Sequence, residues 1–140
     1  MSLSRTPIVL LVSTILLGGL SVRAVSAEDR QVYPGIPADD RVASCGITVS
    51  RGQIARIEPF LEGRGDLAGS LKLDVTKRSP AGQSQSRQVG NFVNGRLGRT
   101  IVSMEGPAEL AIVLSVKDRS GKTLCALRRS ITLGSIPLKI

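Results

Sequence analysis

Read for apolar and polar positions, the chain shows its cleanest alternation at Ala108–Leu133. Ala108, Leu110, Ile112, Leu114 and Val116 fall on one face, and Glu109, Ser115 and Lys117 on the other. A period of two marks a half-buried strand. Asp118-Arg119-Ser120-Gly121-Lys122 supplies a polar turn, after which Cys125, Leu127, Ile131 and Leu133 resume one face. The stretch predicts a long β-hairpin whose apolar face needs a second layer to cover it. Ser70–Arg78 repeats the pattern, with Leu71, Leu73 and Val75 facing in and Lys72, Asp74 and Thr76 facing out. Further strands are predicted at Ala43–Val49, Gln53–Leu61, Arg87–Val93 (weak, at an edge) and Arg96–Met104. Pro59 cannot donate to a ladder, so the end of its strand belongs at an edge or bulge. Glu62–Ala68 and Ser79–Ser86 read as loops, and Asn94-Gly95 as a two-residue hairpin turn. Short strands with turns at spacings of about 8–12 residues predict an all-β, immunoglobulin-like Greek-key β-sandwich of about seven strands. Its core is expected to hold Leu71, Leu73, Val75, Leu110, Ile112, Leu114 and Val116.

The N-terminus departs from this pattern. Arg5 precedes an apolar run, Ile8–Leu20, and Val25-Ser26-Ala27 ends it in small residues. This three-part arrangement reads as a signal peptide at 1–27, cleaved after Ala27. A membrane anchor is disfavoured, since spanning needs about 20 apolar residues. No stable membrane insertion is therefore expected after cleavage. Residues 28–43 are polar, contain Pro34, Gly35 and Pro37, and read as a flexible leader. Residues 44–134 make the sandwich domain, and 135–140 a C-terminal tail.

Composition narrows the chemistry. The chain carries a net charge of +8, and loss of Arg5 and Arg23 with the signal leaves +6. Such a surface can meet an acidic protein, an anionic lipid or nucleic acid. Nucleic acid is excluded as an expectation, because there is no Trp and one Tyr to stack on bases. There is no His, which removes the commonest general base and metal ligand. No serine sits in a nucleophile-elbow sequence. A Ser–Lys pair is the one enzymatic possibility left, and the expectation is of a non-enzyme: no catalytic residue, no cofactor, no metal. Arg64-Gly65-Asp66 spells an integrin-type tripeptide but is read as an ordinary turn. The two cysteines, Cys45 and Cys125, read as one disulfide in an exported chain.

What remains is surface. Lys72, Lys77, Arg78 and Arg87 cluster in sequence around one hairpin, with Arg96 and Arg99 following. They are the candidate partner-binding residues. The competing reading is a solvated face whose charges keep edge strands apart.

Against this background the chain resembles the small exported proteins that hold curli amyloid subunits soluble, the CsgC/CsgH type, on the CsgH side. The resemblance runs through Cys45-x-Ile47-x-Val49, Leu71-x-Leu73-x-Val75-x-Lys77, the loop Ser79–Ser86, Gly90-x-Phe92 and the hairpin Leu110–Leu127. It implies a periplasmic, immunoglobulin-like domain whose partner is a curlin-type amyloid subunit and whose role is to inhibit premature polymerisation; the chain itself is expected to be a monomer. The Cys-x-Cys pair of the CsgC branch is absent here, where Cys45-Gly46-Ile47 stands, so no redox role carries over. The alternative is an immunoglobulin-like interaction module, or an accessory protein of an envelope or adhesin assembly unrelated to curli.

Overall fold

A computed structural model describes residues 29–134. The signal peptide at 1–27 and the tail at 135–140 lie outside the described residues. Among the described residues there are nine strands and no helix: β1 (Asp29–Pro34), β2 (Ile36–Pro37), β3 (Val42–Arg51), β4 (Ile54–Gly63), β5 (Gly69–Ser79), β6 (Gly82–Phe92), β7 (Val102–Glu105), β8 (Ala108–Asp118) and β9 (Thr123–Leu133). They form a four-stranded sheet, β1-β3-β4-β7, and a five-stranded sheet, β2-β9-β8-β5-β6. Every pairing is antiparallel. The chain changes sheets after β1, β2, β4, β6 and β7, and the last three changes give the Greek-key crossing of an immunoglobulin-like sandwich.

The alternation dictates the layers. Leu71, Leu73, Val75, Leu110, Ile112, Leu114 and Val116 are all buried, as their period of two requires. In β4 the buried set is Ala55, Ile57, Pro59 and Leu61, while Ile54 and Phe60 face outward. Pro59 lies past the last residue that β7 reaches, Ile57, so its missing N–H leaves no ladder gap on that side. A register shift at Val116/Lys117 lets consecutive residues Leu124 and Cys125 both turn inward. The Cys45–Cys125 disulfide then ties β3 to β9, and so one sheet to the other, across a sequence separation of 80.

Three expectations are corrected. Most of the stretch 28–43 is ordered chain, not a flexible leader: β1 pairs with β3 and β2 with β9. Its Pro34, Gly35 and Pro37 end two short strands that belong to different sheets. Tyr33 is buried, its hydroxyl donates to Gln31 Oε1 at 2.7 Å, and Arg129 stands 5.0 Å from its ring centroid. Gly35 donates its N–H to the Cys45 carbonyl at 2.8 Å. A Cβ there would stand 2.8 Å from Cys125 Sγ, so the link between β1 and β2 passes the disulfide without strain as glycine. Second, Ser79–Ser86 is not a loop. Pro80-Ala81 alone makes the turn and β6 begins at Gly82. Third, the strand expected at Arg96–Met104 is confined to Val102–Glu105. The Asn94-Gly95 turn is present, with φ of 58° and 70° at its two residues.

Candidate functional site

Strand pairing assembles the outer face of the five-stranded sheet in rows. Arg87 of β6 lies opposite Asp74 of β5, Asp74 opposite Val113 of β8, and Val113 opposite Arg128 of β9. One row along, Val89, Lys72, Ser115 and Ala126 follow one another. On the other side come Gln85, Thr76, Ala111 and Ser130, then Gln83, Arg78, Glu109 and Thr132. Asn91, Ser70 and Lys117 complete the face. The centre is small and smooth because β8 and β9 place Ala, Ser, Thr and Val there. Around it stand five cations, Lys72, Arg78, Arg87, Lys117 and Arg128, against two carboxylates, Asp74 and Glu109. Two hollows mark it: about 690 Å³ beside Thr76, Arg78, Gln83 and Glu109, and about 350 Å³ beside Lys72, Asp74, Val89 and Lys117.

Asp74 organises the middle of this face. Arg87 Nε donates to its Oδ1 at 2.6 Å, and Lys72 Nζ stands 3.9 Å from its Oδ2. These are exposed pairs, worth at most about 1 kcal/mol each, so they position the cations more than they stabilise the fold.

Of the four expected residues, Lys72, Arg78 and Arg87 share this face. Lys77 does not: it follows Leu71, Leu73 and Val75 in phase and sits at the inward side's rim, opposite Leu110 and Ser84. Arg96 and Arg99 belong elsewhere. With Arg30 they rim a hollow of about 610 Å³ against the four-stranded sheet, floored by Val32, Phe60 and Leu97. Lys117 and Arg128 were outside the expected cluster and join it only through strand order. The outward phase of Lys117 was readable from its own strand, but its neighbours on other strands were not.

The two edges of this sheet differ. On the β9 side, β2 covers Cys125 and Ala126, and Arg51 Nη1 from the other sheet donates to the Thr132 carbonyl at 2.8 Å. On the β6 side no strand among the described residues pairs with the outer side of an 11-residue strand.

One end of the sandwich is pinned by ions. Asp39 accepts from Arg41 Nε and Nη2 at 2.9 Å each, and Lys122 Nζ stands 2.9 Å from the same carboxylate. Arg41 also donates to Asp118 Oδ2 at 2.9 Å. The Arg41 guanidinium, then Lys122, holds the Asp39 carboxyl well below the usual carboxylate range. Hydrogen bonds from Ser120, then Arg41, do the same for Asp118. Their arrangement fastens the turn before β3 to the β8–β9 turn.

Arg64-Gly65-Asp66 lies in the connection from β4 to β5, where Arg64 N–H donates to the Arg41 carbonyl at 2.9 Å. Cys45 and Cys125 are joined to each other, and among the described residues no group of three or more His, Cys, Asp or Glu could hold a metal.

No family model and no curated protein matches the chain. Among solved structures, the solution structure of R. palustris CsgH aligns with a TM-score of 0.39 at 21% identity, over 74% of this chain and 88% of that one.

Proposed function

We propose that this chain is an exported, non-enzymatic chaperone of the curli type, working in the periplasm as a monomer to keep a curlin-type amyloid subunit from polymerising early. The observation that carries the reading is the outer face of β6, β5, β8 and β9: broad, polar, small-sided along much of β8 and β9, and carrying five cations against two carboxylates. Amyloid-forming chains present polar, strand-forming segments that stack through their backbones. A face of this kind draws such a chain in by charge and offers its backbone hydrogen-bonding side chains. Its own charges oppose the stacking of a further identical layer. The disulfide and the N-terminal apolar run support export to an oxidising compartment. The residue pattern from Cys45 to Leu133 supports the choice of client.

The test is fibrillation of a purified curlin subunit, followed with an amyloid dye, with the disulfide-bonded protein present well below equimolar ratio. The lag lengthens at low salt, and the effect shrinks as salt rises, because the attraction is screened within about 8 Å at physiological ionic strength. Lys72→Gln/Arg78→Gln/Arg87→Gln loses most of the inhibition, whereas Lys77→Gln alone loses little. A folded triple variant that inhibits like the parent at low salt contradicts the reading of this face.

A further inference from the structure

We infer that the free edge of β6 is a strand-addition site, which takes an extended Ser/Gln/Asn-rich segment bearing carboxylates as an added antiparallel strand. This deepens the chaperone reading and rests on it only for the nature of the client.

Natural sheets blunt their edges with short strands, prolines, bulges or charge. The other edges here follow that rule, including the part of β9 beyond β2, which carries Arg128 and Arg129 and gives its Thr132 carbonyl to Arg51. β2 has two residues and ends in Pro37, β7 has four and is followed by Pro107, and β1 has six, begins with Asp29 and Arg30 and ends in Pro34. β6 follows none of it. It runs for 11 residues with no proline and no register shift against β5. Its one charged side chain, Arg87, is already bound to Asp74.

The direction of its free groups follows from the turn. Ser79 and Gly82 close a two-residue turn, so they form a doubly hydrogen-bonded pair. Unbroken alternation then aims the backbone N–H and C=O of Gln83, Gln85, Arg87, Val89 and Asn91 away from β5. The same residues put their side chains on the cationic face. An incoming strand therefore meets a backbone ladder and, on that face, a column of amides with Arg87 and the 71% exposed Val89 among them. Gln and Asn on the guest extend such amide ladders. Carboxylates on the guest meet Arg87 directly and Arg78 and Lys72 one strand in. A second copy of this chain is the poorer occupant, since two β6 strands paired about their midpoints would bring Arg87 against its own mate.

The experiment uses a synthetic peptide as long as β6, alternating Ser and Gln with two Glu, and the disulfide-bonded protein. Amide hydrogen exchange is read residue by residue. On saturation, exchange at Gln83, Gln85, Arg87, Val89 and Asn91 slows about tenfold, while β1 and β9 do not change. Gln85→Pro/Val89→Pro removes two outward donors, leaves the β5 ladder whole, and abolishes the protection. Val89→Glu, which leaves the backbone alone and repels the guest, weakens binding at least severalfold. Absence of protection, protection confined to other strands, or β6 protection that grows with protein concentration without peptide overturns the proposal. Failure of the two readings is separable. If the peptide protects β6 but a curlin subunit fibrillates unhindered, the chaperone reading falls and the edge stands. If the proline variant still delays fibrillation as the parent does, the edge proposal falls and the cationic face remains.

Discussion

The two edges of the five-stranded sheet are built from opposite materials. The β9 edge is closed from three directions. β2 caps Cys125 and Ala126 near its start, Gly35 carries the chain past the buried disulfide, and Arg51 reaches from the other sheet to the Thr132 carbonyl near its end. The β6 edge is long and polar, and no strand among the described residues pairs with it. The closed edge is assembled from residues that cannot be exchanged: a glycine with no room for a Cβ, a tyrosine under an arginine, two bonded cysteines. Most of the open edge is Gln, Ser and Asn, exposed along the strand up to the buried Phe92 at its end. One edge holds the sandwich shut, and the other is available for something else. Substitutions ought therefore to separate them, with stability lost on one side and binding on the other.

The largest expected effect is on the closed side. Cys45→Ala/Cys125→Ala opens a loop with a separation of 80 residues and costs about 4 kcal/mol in the chain-entropy description. Denaturant unfolding measures it, and a loss below about 1 kcal/mol breaks the comparison. Next comes Gly35→Ala, whose Cβ would stand 2.8 Å from Cys125 Sγ and 3.2 Å from the Ala126 carbonyl oxygen. Both neighbours are fixed, so overpacking of about 1–3 kcal/mol is expected. A neutral Gly35→Ala would mean that β2 lifts off freely and that this edge is not closed at all.

A pair of prolines sharpens the contrast within β6. Gln88→Pro removes an N–H that faces β5 and costs about 1–3 kcal/mol, the penalty of a broken ladder bond. Gln85→Pro removes one that faces solvent and costs less than about 1 kcal/mol. Thermal unfolding of both variants decides it, and equal losses would mean that the assigned hydrogen-bond phase of β6 is wrong.

How much of this was legible in the sequence depended on which faces were dry. β5, β8 and β9 each bury one face and wet the other, so period two is plain in Leu71–Val75 and Leu110–Val116. At the start of β6 both faces are wet. Gln83-Ser84-Gln85-Ser86 carries no apolar beat, and so it reads as loop. The stretch 28–43 failed for the opposite reason. Pro34, Gly35 and Pro37 are breakers, and they do break the chain, but into two paired strands. Tyr33 and the glycine beside the disulfide make sense only once Cys45 and Cys125 are joined. The inward phase of Lys77 was available from Leu71, Leu73 and Val75. The company of Arg128 and Lys117 was not, because it depends on β5 lying beside β8, a pairing no local pattern encodes.

The smallest effect is at the pinned end. The carboxyls of Asp39 and Asp118 are held below their ordinary value of 3.8. Their contribution is complete above that value and fades as pH falls below it, when the unfolded chain takes up protons that the folded one refuses. Stability should therefore drop on acidification from about pH 4 downward, and Asp39→Asn should flatten that limb without altering the neutral plateau by as much as the disulfide does. An unchanged acid limb in Asp39→Asn would remove the ion cluster from the account.

The most direct measurement compares both edges in one sample: residue-resolved amide exchange of the disulfide-bonded protein with and without an excess of monomeric curlin subunit at low salt. Exchange is expected to slow at the outward amides from Gln83 to Asn91, with β1 and the Leu127–Leu133 part of β9 unchanged, and the effect is lost as salt rises. Protection on β1 or β9, or in the hollow of Val32, Phe60 and Leu97 with β6 untouched, would contradict it.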